Sequence, residues 1–201
     1  MQKVIILLIL SMVVQSCAPV IFGTAAGATV SVAKDRSIGD AIDDAKISAN
    51  IKKEFIKNGF RELYTKIDVE VMKGRVMYTG IVQSEEDVMK AVEIAWSQDG
   101  VTEVLNELEV NDKSGYFDAA QFSRDIWITS QIKAKTIMRR DIKFINYTVI
   151  TSKAIVYIFG SARSEEEMEA VANIAAETKG VEKVVSHVNL REERTENQES
   201  K

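Results

Sequence analysis

The sequence has one cysteine, one histidine and one proline among its 201 residues, and these scarcities exclude several kinds of site. A single cysteine, Cys17, cannot form an internal disulfide. A single histidine, His187, has no second histidine near it in a predicted strand, which excludes an ordinary zinc site. A Ser-His-Asp triad would rest on that one residue. We interpret His187 as an exposed or hydrogen-bonded strand residue, and we expect no metal, no catalytic set and no enzyme.

An excess of basic residues is also missing, since 26 Lys and Arg face 30 Asp and Glu and the net charge is −4. A mildly acidic chain argues against general nucleic-acid binding, which needs a basic face over much of a domain. Gly23 and Gly27 are not followed by the Lys-Ser/Thr pair of a phosphate-binding loop. We therefore predict no nucleic-acid partner and no cofactor.

The N-terminus carries the longest apolar run, from Val4 to Val14 after Lys3, which is too short to span a bilayer. It ends at Val14-Gln15-Ser16-Cys17, which resembles the lipobox of bacterial lipoproteins, although glutamine is unusual there. We predict a signal peptide over 1–16 and an acyl anchor, such as palmitate, on Cys17. The alternative is one uncleaved membrane helix from Val4 to Val32, but Pro19 and two glycines make that a poor helix.

The rest of the chain is an internal repeat with an offset of 80 residues. The recurring pairs include Gly80 with Gly160, Ser84 with Ser164, Glu85 with Glu165, Glu86 with Glu166, and Gly100 with Gly180. A period this long is typical of two complete domains rather than of a solenoid.

Each repeat predicts a helix, two strands, a second helix and a closing strand. In the first copy these are a helix over 43–57, a hairpin turning at Lys73-Gly74, and a strand over 103–110, which matches 183–190. Ser84 and Ser164 before glutamates predict helix N-caps, which explains these acids without calcium, and the helices run toward Gly100 and Gly180. Helices on one face of a small sheet predict an α+β fold.

The composition divides the chain into six segments. They are a signal peptide at 1–16, a lipidated flexible spacer at 17–40, a first domain at 41–111, a linker at 112–120, a second domain at 121–190, and a disordered charged tail at 191–201.

The first helix of the second repeat differs from its counterpart 81 residues earlier, because Trp127 and Met138 replace Lys46 and Lys57. Helical spacing puts Trp127, Ala134 and Met138 on one flank, with Ile137 farther round. The basic residues on or just after this helix include Lys133, Lys135 and Arg139. This composition is typical of a helix at a water-lipid boundary, but Trp127 packed against the first domain explains the sequence equally well. Trp96 is predicted to pack in the core or between the domains.

The repeated glycine, the Ser-Glu-Glu helix start and the following Gly-Val resemble the BON domain. The whole chain resembles the dual BON-domain outer-membrane lipoproteins of Gram-negative bacteria, most closely at Asp35 to Gly39 with Asp43-Asp44, and at Asp125 to Thr129. The resemblance implies two helices packed on a three-stranded sheet in each domain. It also implies a role in envelope integrity, with anionic phospholipid bound by the first helix of the second domain.

The predicted function is therefore that of a lipid-anchored protein on the periplasmic side of the outer membrane, attached to its inner leaflet. The expected ligand is phosphatidylglycerol or cardiolipin, bound through Trp127, Ala134, Met138, Ile137, Lys133, Lys135 and Arg139. The alternative is an adaptor that uses the same surface to bind an envelope protein of outer-membrane assembly or peptidoglycan remodelling.

Overall fold

The computed structural model of the protein describes residues 38–57, 67–111 and 118–191. The first repeat contains helix α1 (Ile38–Lys57), strands β1 (Ile67–Met72) and β2 (Arg75–Val82), helix α2 (Glu85–Trp96) and strand β3 (Glu103–Val110). The second contains α3 (Ala119–Ile137), a 3-10 turn (Phe144–Asn146), β4 (Tyr147–Ser152), β5 (Ile155–Ala162), α4 (Glu165–Ala176) and β6 (Lys183–Leu190). The predicted order of elements is confirmed in both repeats.

Each repeat forms one three-stranded sheet with the second strand at its centre. β1 and β2 form an antiparallel hairpin, and β3 returns parallel to β2 after α2 crosses one face of the sheet. β4, β5 and β6 repeat this pairing. The parallel pairing follows from the connection, because a strand that returns through a helix re-enters the sheet in the same direction.

One face of each sheet packs against the two helices of its own repeat. Because strand side chains alternate between faces, Val76 and Tyr78 of β2 meet Ile51 of α1 in the first core. Val156 and Ile158 of β5 make the equivalent core with Ile132 of α3 and Val171 of α4. The predicted α+β fold is confirmed, with one core between helices and sheet in each domain.

The opposite faces of the two sheets pack against each other. Met72 and Met77 of the first sheet cluster with Tyr157 and Phe159 of the second. The described part of the chain therefore has four layers, in the order helices, sheet, sheet, helices. The helices of the two domains lie on opposite outer sides of the molecule.

Arg75 at the start of β2 reaches across this interface. Its Nη1 donates to the backbone oxygens of His187, at 3.1 Å, and Gly160, at 3.4 Å, and its guanidinium lies 5.1 Å from the centre of the Phe159 ring. Its Nε also pairs with Glu103. Arg75 thus joins the two domains through hydrogen bonds to backbone oxygens and a cation–π contact, while Glu103 of its own domain orients the guanidinium.

A hydrogen bond and an ion pair between side chains also cross the interface. His187 Nε2 lies 2.7 Å from Glu107 Oε1, and Lys153 Nζ lies 2.6 Å from Glu109 Oε1. The interpretation of His187 as a satisfied strand residue is confirmed, since it lies in β6 with a hydrogen-bond partner.

The predicted helix starts are confirmed at both serines. Ser84 accepts a hydrogen bond from the Asp87 amide and Asp87 accepts one from the Ser84 amide, which is a complete capping box. Ser164 caps α4 through the Glu167 amide. The Glu167 carboxylate does not bind the Ser164 amide as in a capping box. It accepts hydrogen bonds from the backbone amide of Lys143 and from the amide and Nε of Arg163. Burial raises the pKa of Glu167, but these bonds bring it below its ordinary value.

Several helices begin or end a few residues from where the sequence predicts. α1 begins at Ile38, inside the predicted spacer, and α3 begins at Ala119, inside the predicted linker, because the Asp118 side chain caps it. α2 and α4 end at Trp96 and Ala176, before Gly100 and Gly180. A short turn after each helix satisfies its last carbonyls, and the glycines then adopt φ of +88° and +94°.

Candidate functional site

The orientation of α3 depends on Asp125, a buried carboxylate that binds the turn of the β4–β5 hairpin. It accepts hydrogen bonds from the amides of Lys153 and Ala154, both at 2.9 Å, and from Gln121 Nε2 at 2.9 Å. Both turn residues have positive φ, 49° and 63°. Asp125 therefore stabilises a turn conformation that alanine rarely adopts, and it ties the helix to the sheet.

Asp44 makes the same connection in the first domain. It accepts from the amides of Lys73 at 2.8 Å and Gly74 at 2.9 Å, and it is also buried. The sequence gives a signal for this role, because Asp44 lies three and seven residues before the core residues Ile47 and Ile51. An acid on an apolar stripe predicts a buried hydrogen-bond acceptor, and the sequence interpretation had assigned it no role.

Apolar side chains of α3 remain exposed outside its core stripe. Trp127 is 49% exposed, Met138 is 84% exposed and Ala134 is exposed on the same flank, whereas Ile128 and Ile132 are buried. Because half of the Trp127 side chain is covered, the alternative that it packs against the first domain stays a prediction. Trp96, which was also predicted to pack inside, is 53% exposed at the end of α2.

The seven predicted lipid-binding residues do not form one compact patch. Ile137 lies about 80° round the helix from Trp127, and Lys133 lies about 120° from it. Ile126 lies between Ile137 and Lys133, so the exposed side of α3 has two apolar flanks with the exposed residues Ser123 and Ser130 between them. We define the α3 face as Ile126, Trp127, Lys133, Ala134, Ile137 and Met138. Cys17 lies outside the described residues.

The predicted basic residues have partners within the protein. Arg139 donates two hydrogen bonds to Asp141, at 2.8 and 2.5 Å, which raises the pKa of Arg139 and lowers that of Asp141 to about 2. Lys135 Nζ donates to the Thr178 hydroxyl at 3.0 Å. The positive charge near α3 is therefore held at fixed positions, and part of it is neutralised.

Lys133 belongs to a charge cluster that involves the first domain. Burial raises the pKa of Glu70 on β1, and the charges of Lys52 and Lys133 counter that effect. The helix carries one carboxylate of its own, Asp125, which is buried. The exposed surface of α3 therefore keeps a basic character.

Among the exposed apolar residues that the sequence interpretation missed, Phe122 and Ile145 lie on or just after α3. Phe122 on α3 is four residues before Ile126, and Ile145 lies in the 3-10 turn. Phe122 could have been found because a residue at i−4 shares a helix face. Ile145 gave no comparable signal, since its turn has no periodic pattern.

Two negative findings apply to the described ranges alone. Within residues 38–57, 67–111 and 118–191, no helix is long and apolar enough to cross a membrane. Over those same ranges, His, Cys, Asp and Glu side chains form no group of three or more that could hold a metal ion.

The family comparison agrees with the two repeats. The BON domain matches residues 43–112 and again residues 124–192. The chain belongs to the BON domain family. The resemblance drawn from the repeated glycines and capped helices is confirmed.

Three relatives cover most of the chain. An uncharacterized protein in the gshII 5′ region of Anaplasma centrale is 37% identical over 75% of this chain and 96% of its own length. The outer membrane lipoprotein DolP of Haemophilus influenzae is 29% identical over 92% of this chain and 94% of its own. A 21 kDa hemolysin of Actinobacillus pleuropneumoniae is 29% identical over 77% of each chain. Each match is longer than one BON domain, so it includes residues of both.

Proposed function

We propose that this BON-family protein is a non-enzymatic, lipid-anchored component of the outer membrane that binds anionic phospholipid through the α3 face and supports envelope integrity. The observation that carries the proposal is the exposure of Trp127 and Met138 on a helix whose own carboxylate is buried. An indole beside apolar and basic side chains is suited to the boundary between headgroups and acyl chains.

Apolar contact contributes more than charge to the proposed binding. Burying one methionine or isoleucine side chain stabilises a complex by about 1.5–3 kcal/mol, whereas a basic residue near an anionic surface contributes about 1 kcal/mol. Arg139 contributes less than that because Asp141 is already its partner. We therefore expect salt to weaken vesicle binding without abolishing it.

The outer-membrane location rests on the relative and on the N-terminal sequence. The Haemophilus protein is named an outer membrane lipoprotein and covers 92% of this chain. In this chain, Cys17 follows Val14-Gln15-Ser16 after an apolar run. An acyl anchor together with the α3 face would make two membrane signals, which bind more stably than one.

Anchoring predicts that radiolabelled fatty acid enters the wild-type protein, because the Cys17 thiol is the sole thiol able to carry the thioether-linked lipid. Cys17→Ala should abolish labelling and leave the precursor unprocessed. Electrophoresis with autoradiography measures both effects. Equal labelling of the two proteins would contradict the anchor.

Lipid binding predicts a blue shift of Trp127 fluorescence when the protein meets vesicles containing phosphatidylglycerol or cardiolipin. Neutral vesicles should give a much smaller shift, because they lack the attraction for the basic residues around α3. The measurement uses a Trp96→Phe background, since Trp96 is also exposed and emits.

Trp127→Glu should lower vesicle binding at least tenfold and leave the fold intact, because the equivalent position of the first domain is the charged residue Lys46. Ile56→Glu is the control, since Ile56 is the exposed counterpart of Ile137 in the first domain and should not affect binding. Co-sedimentation with vesicles measures affinity, and circular dichroism measures folding. A folded Trp127→Glu protein that binds as well as wild type would place the lipid site elsewhere.

The second candidate is a protein-binding adaptor that uses the same α3 face. It is favoured by the pairing of Arg139 with Asp141, which leaves less charge for a headgroup than the sequence indicates. The two candidates differ in the vesicle experiment, because an adaptor would bind neither anionic nor neutral vesicles.

A further inference from the structure

Helix α2 of the first domain also exposes two large apolar side chains. Met89 is 64% exposed and Trp96 is 53% exposed. They are seven residues apart, so they lie on one flank, about 80–160° round the helix from Val88, Ala91 and Ala95 in the core. The corresponding residues of the second domain are Glu169 and Ala176, so that domain lacks this pair.

Carboxylates surround this apolar pair. Glu85, Glu86 and Glu93 are exposed on the same side of α2, and the lysine of the helix, Lys90, lies 2.8 Å from Glu86. We define the α2 face as Glu85, Glu86, Met89, Glu93 and Trp96. An anionic bilayer would repel such a face, whereas a basic apolar surface would complement it.

The α3 face has that complementary chemistry. It presents an exposed tryptophan and methionine, Trp127 and Met138, on the same exposed side of the helix as Lys133 and just before the exposed Arg140. The two faces are therefore complementary. Both have a tryptophan and a methionine, and carboxylates surround the pair on α2 whereas basic residues lie near the pair on α3. Aromatic and methionine side chains are enriched in the buried centres of protein interfaces.

The two faces cannot meet within one molecule. The sheets pack against each other, so the helices of the two domains lie on opposite outer sides. A copy can offer its α2 face to one neighbour and its α3 face to another. A contact between two different surfaces is head-to-tail, and it extends in a line unless rotation closes it.

We propose that the protein self-associates head-to-tail, with the α2 face of one copy bound to the α3 face of the next. In relation to the proposed function, lipid and a second copy compete for the α3 face. One helix face on each side gives a small interface, so the association is weak and depends on local concentration. Lipid anchoring would raise that concentration by confining copies to one surface.

Sedimentation velocity on residues 34–201, a fragment that contains both domains and all of the described residues, tests the proposal. The wild type should show a weight-average sedimentation coefficient that rises with protein concentration up to about 1 mM. Raising the salt concentration should reduce the rise, because the charged rims attract through water. A monomer throughout this range would overturn the proposal.

Two double variants separate the faces. The first, Met89→Glu with Trp96→Ala, installs the residues of the second domain, which its helix tolerates at Glu169 and Ala176. The second, Trp127→Glu with Met138→Glu, removes the α3 face. Each variant alone should lose at least tenfold in association constant. Variants that still associate like wild type would show that these faces are not involved.

Mixing the two variants is the decisive measurement. Each retains the face that the other lacks, so a head-to-tail contact predicts heterodimers and nothing larger. Failure of the mixture to associate would overturn the proposal. If circular dichroism shows either double variant unfolded, Glu93→Lys and Lys133→Glu replace them, since both positions are exposed.

Lipid binding is measured separately on the same proteins. The Met89→Glu with Trp96→Ala variant should bind anionic vesicles as wild type does, because α2 is not in the lipid-binding surface. Self-association without vesicle binding would contradict the proposed function and leave this inference standing. Vesicle binding by a strictly monomeric protein would contradict the self-association and leave the proposed function standing.

Discussion

Replacing Asp125 by alanine is expected to lower the free energy of unfolding of the second domain by about 3–5 kcal/mol. The change removes the acceptor of three hydrogen bonds and leaves the amides of Lys153 and Ala154 without it in a partly buried turn. Ala154 adds to the effect because its φ of 63° is unfavourable unless the turn is held. Domains are stable by about 5–15 kcal/mol in total, so the variant approaches unfolding.

Chemical denaturation followed by circular dichroism measures this loss. Asp125→Asn should lie between wild type and alanine, because an amide keeps one acceptor oxygen for the two turn amides. Asp118→Ala is the matched control on the same helix, since Asp118 is an exposed N-cap and its loss should cost about 1 kcal/mol. An Asp125→Ala protein no less stable than Asp118→Ala would contradict the role of the buried carboxylate.

Most of the fold could be predicted because each repeat carries clear local signals for its helix starts and strands. Ser84 and Ser164 begin helices, since a hydroxyl followed by acids satisfies both free amides and the helix dipole. The closing strands run from Glu103 to Val110 and from Lys183 to Leu190, as alternation predicted. The helix ends were harder to predict, because the left-handed glycines follow a turn rather than the helix itself.

The packing of one sheet on the other could not be predicted from the sequence. Met77 and Tyr157 are apolar on the strand faces that point away from the helices, which indicates a covered surface. Periodicity does not say what covers it, because the partner is remote in sequence. The exposure of Trp96 was not predicted either, since hydropathy alone does not separate a core residue from an exposed docking residue.

The charges of the candidate site show a similar limit. Lys133, Lys135 and Arg139 are basic by sequence, and helical spacing predicts that they surround Trp127. Whether a cation is available depends on its neighbours, and here Asp141 pairs with Arg139 while the Thr178 hydroxyl holds Lys135. The charge of Lys133 acts on Glu70, which lies on β1 of the first domain. The apolar part of the site was therefore predicted better than its electrostatics.

Arg75→Ala is expected to uncouple the two domains. The guanidinium is mostly buried, and its loss removes hydrogen bonds to two carbonyl oxygens, an ion pair with Glu103 and the contact with the Phe159 ring. Leaving these groups without their partner should destabilise the interface by about 2–4 kcal/mol. Unfolding should then occur in two separate transitions, because each domain keeps its own helix-sheet core.

Hydrogen exchange and small-angle scattering measure the uncoupling directly. Amides of the central strands should exchange faster in Arg75→Ala, and the radius of gyration should increase as the sheets separate. Lys153→Ala is the control, because its ion pair with Glu109 is largely exposed and contributes at most about 1 kcal/mol. If Arg75→Ala keeps the wild-type radius and a single transition, apolar packing between Met77, Tyr157 and Phe159 holds the domains together without the arginine.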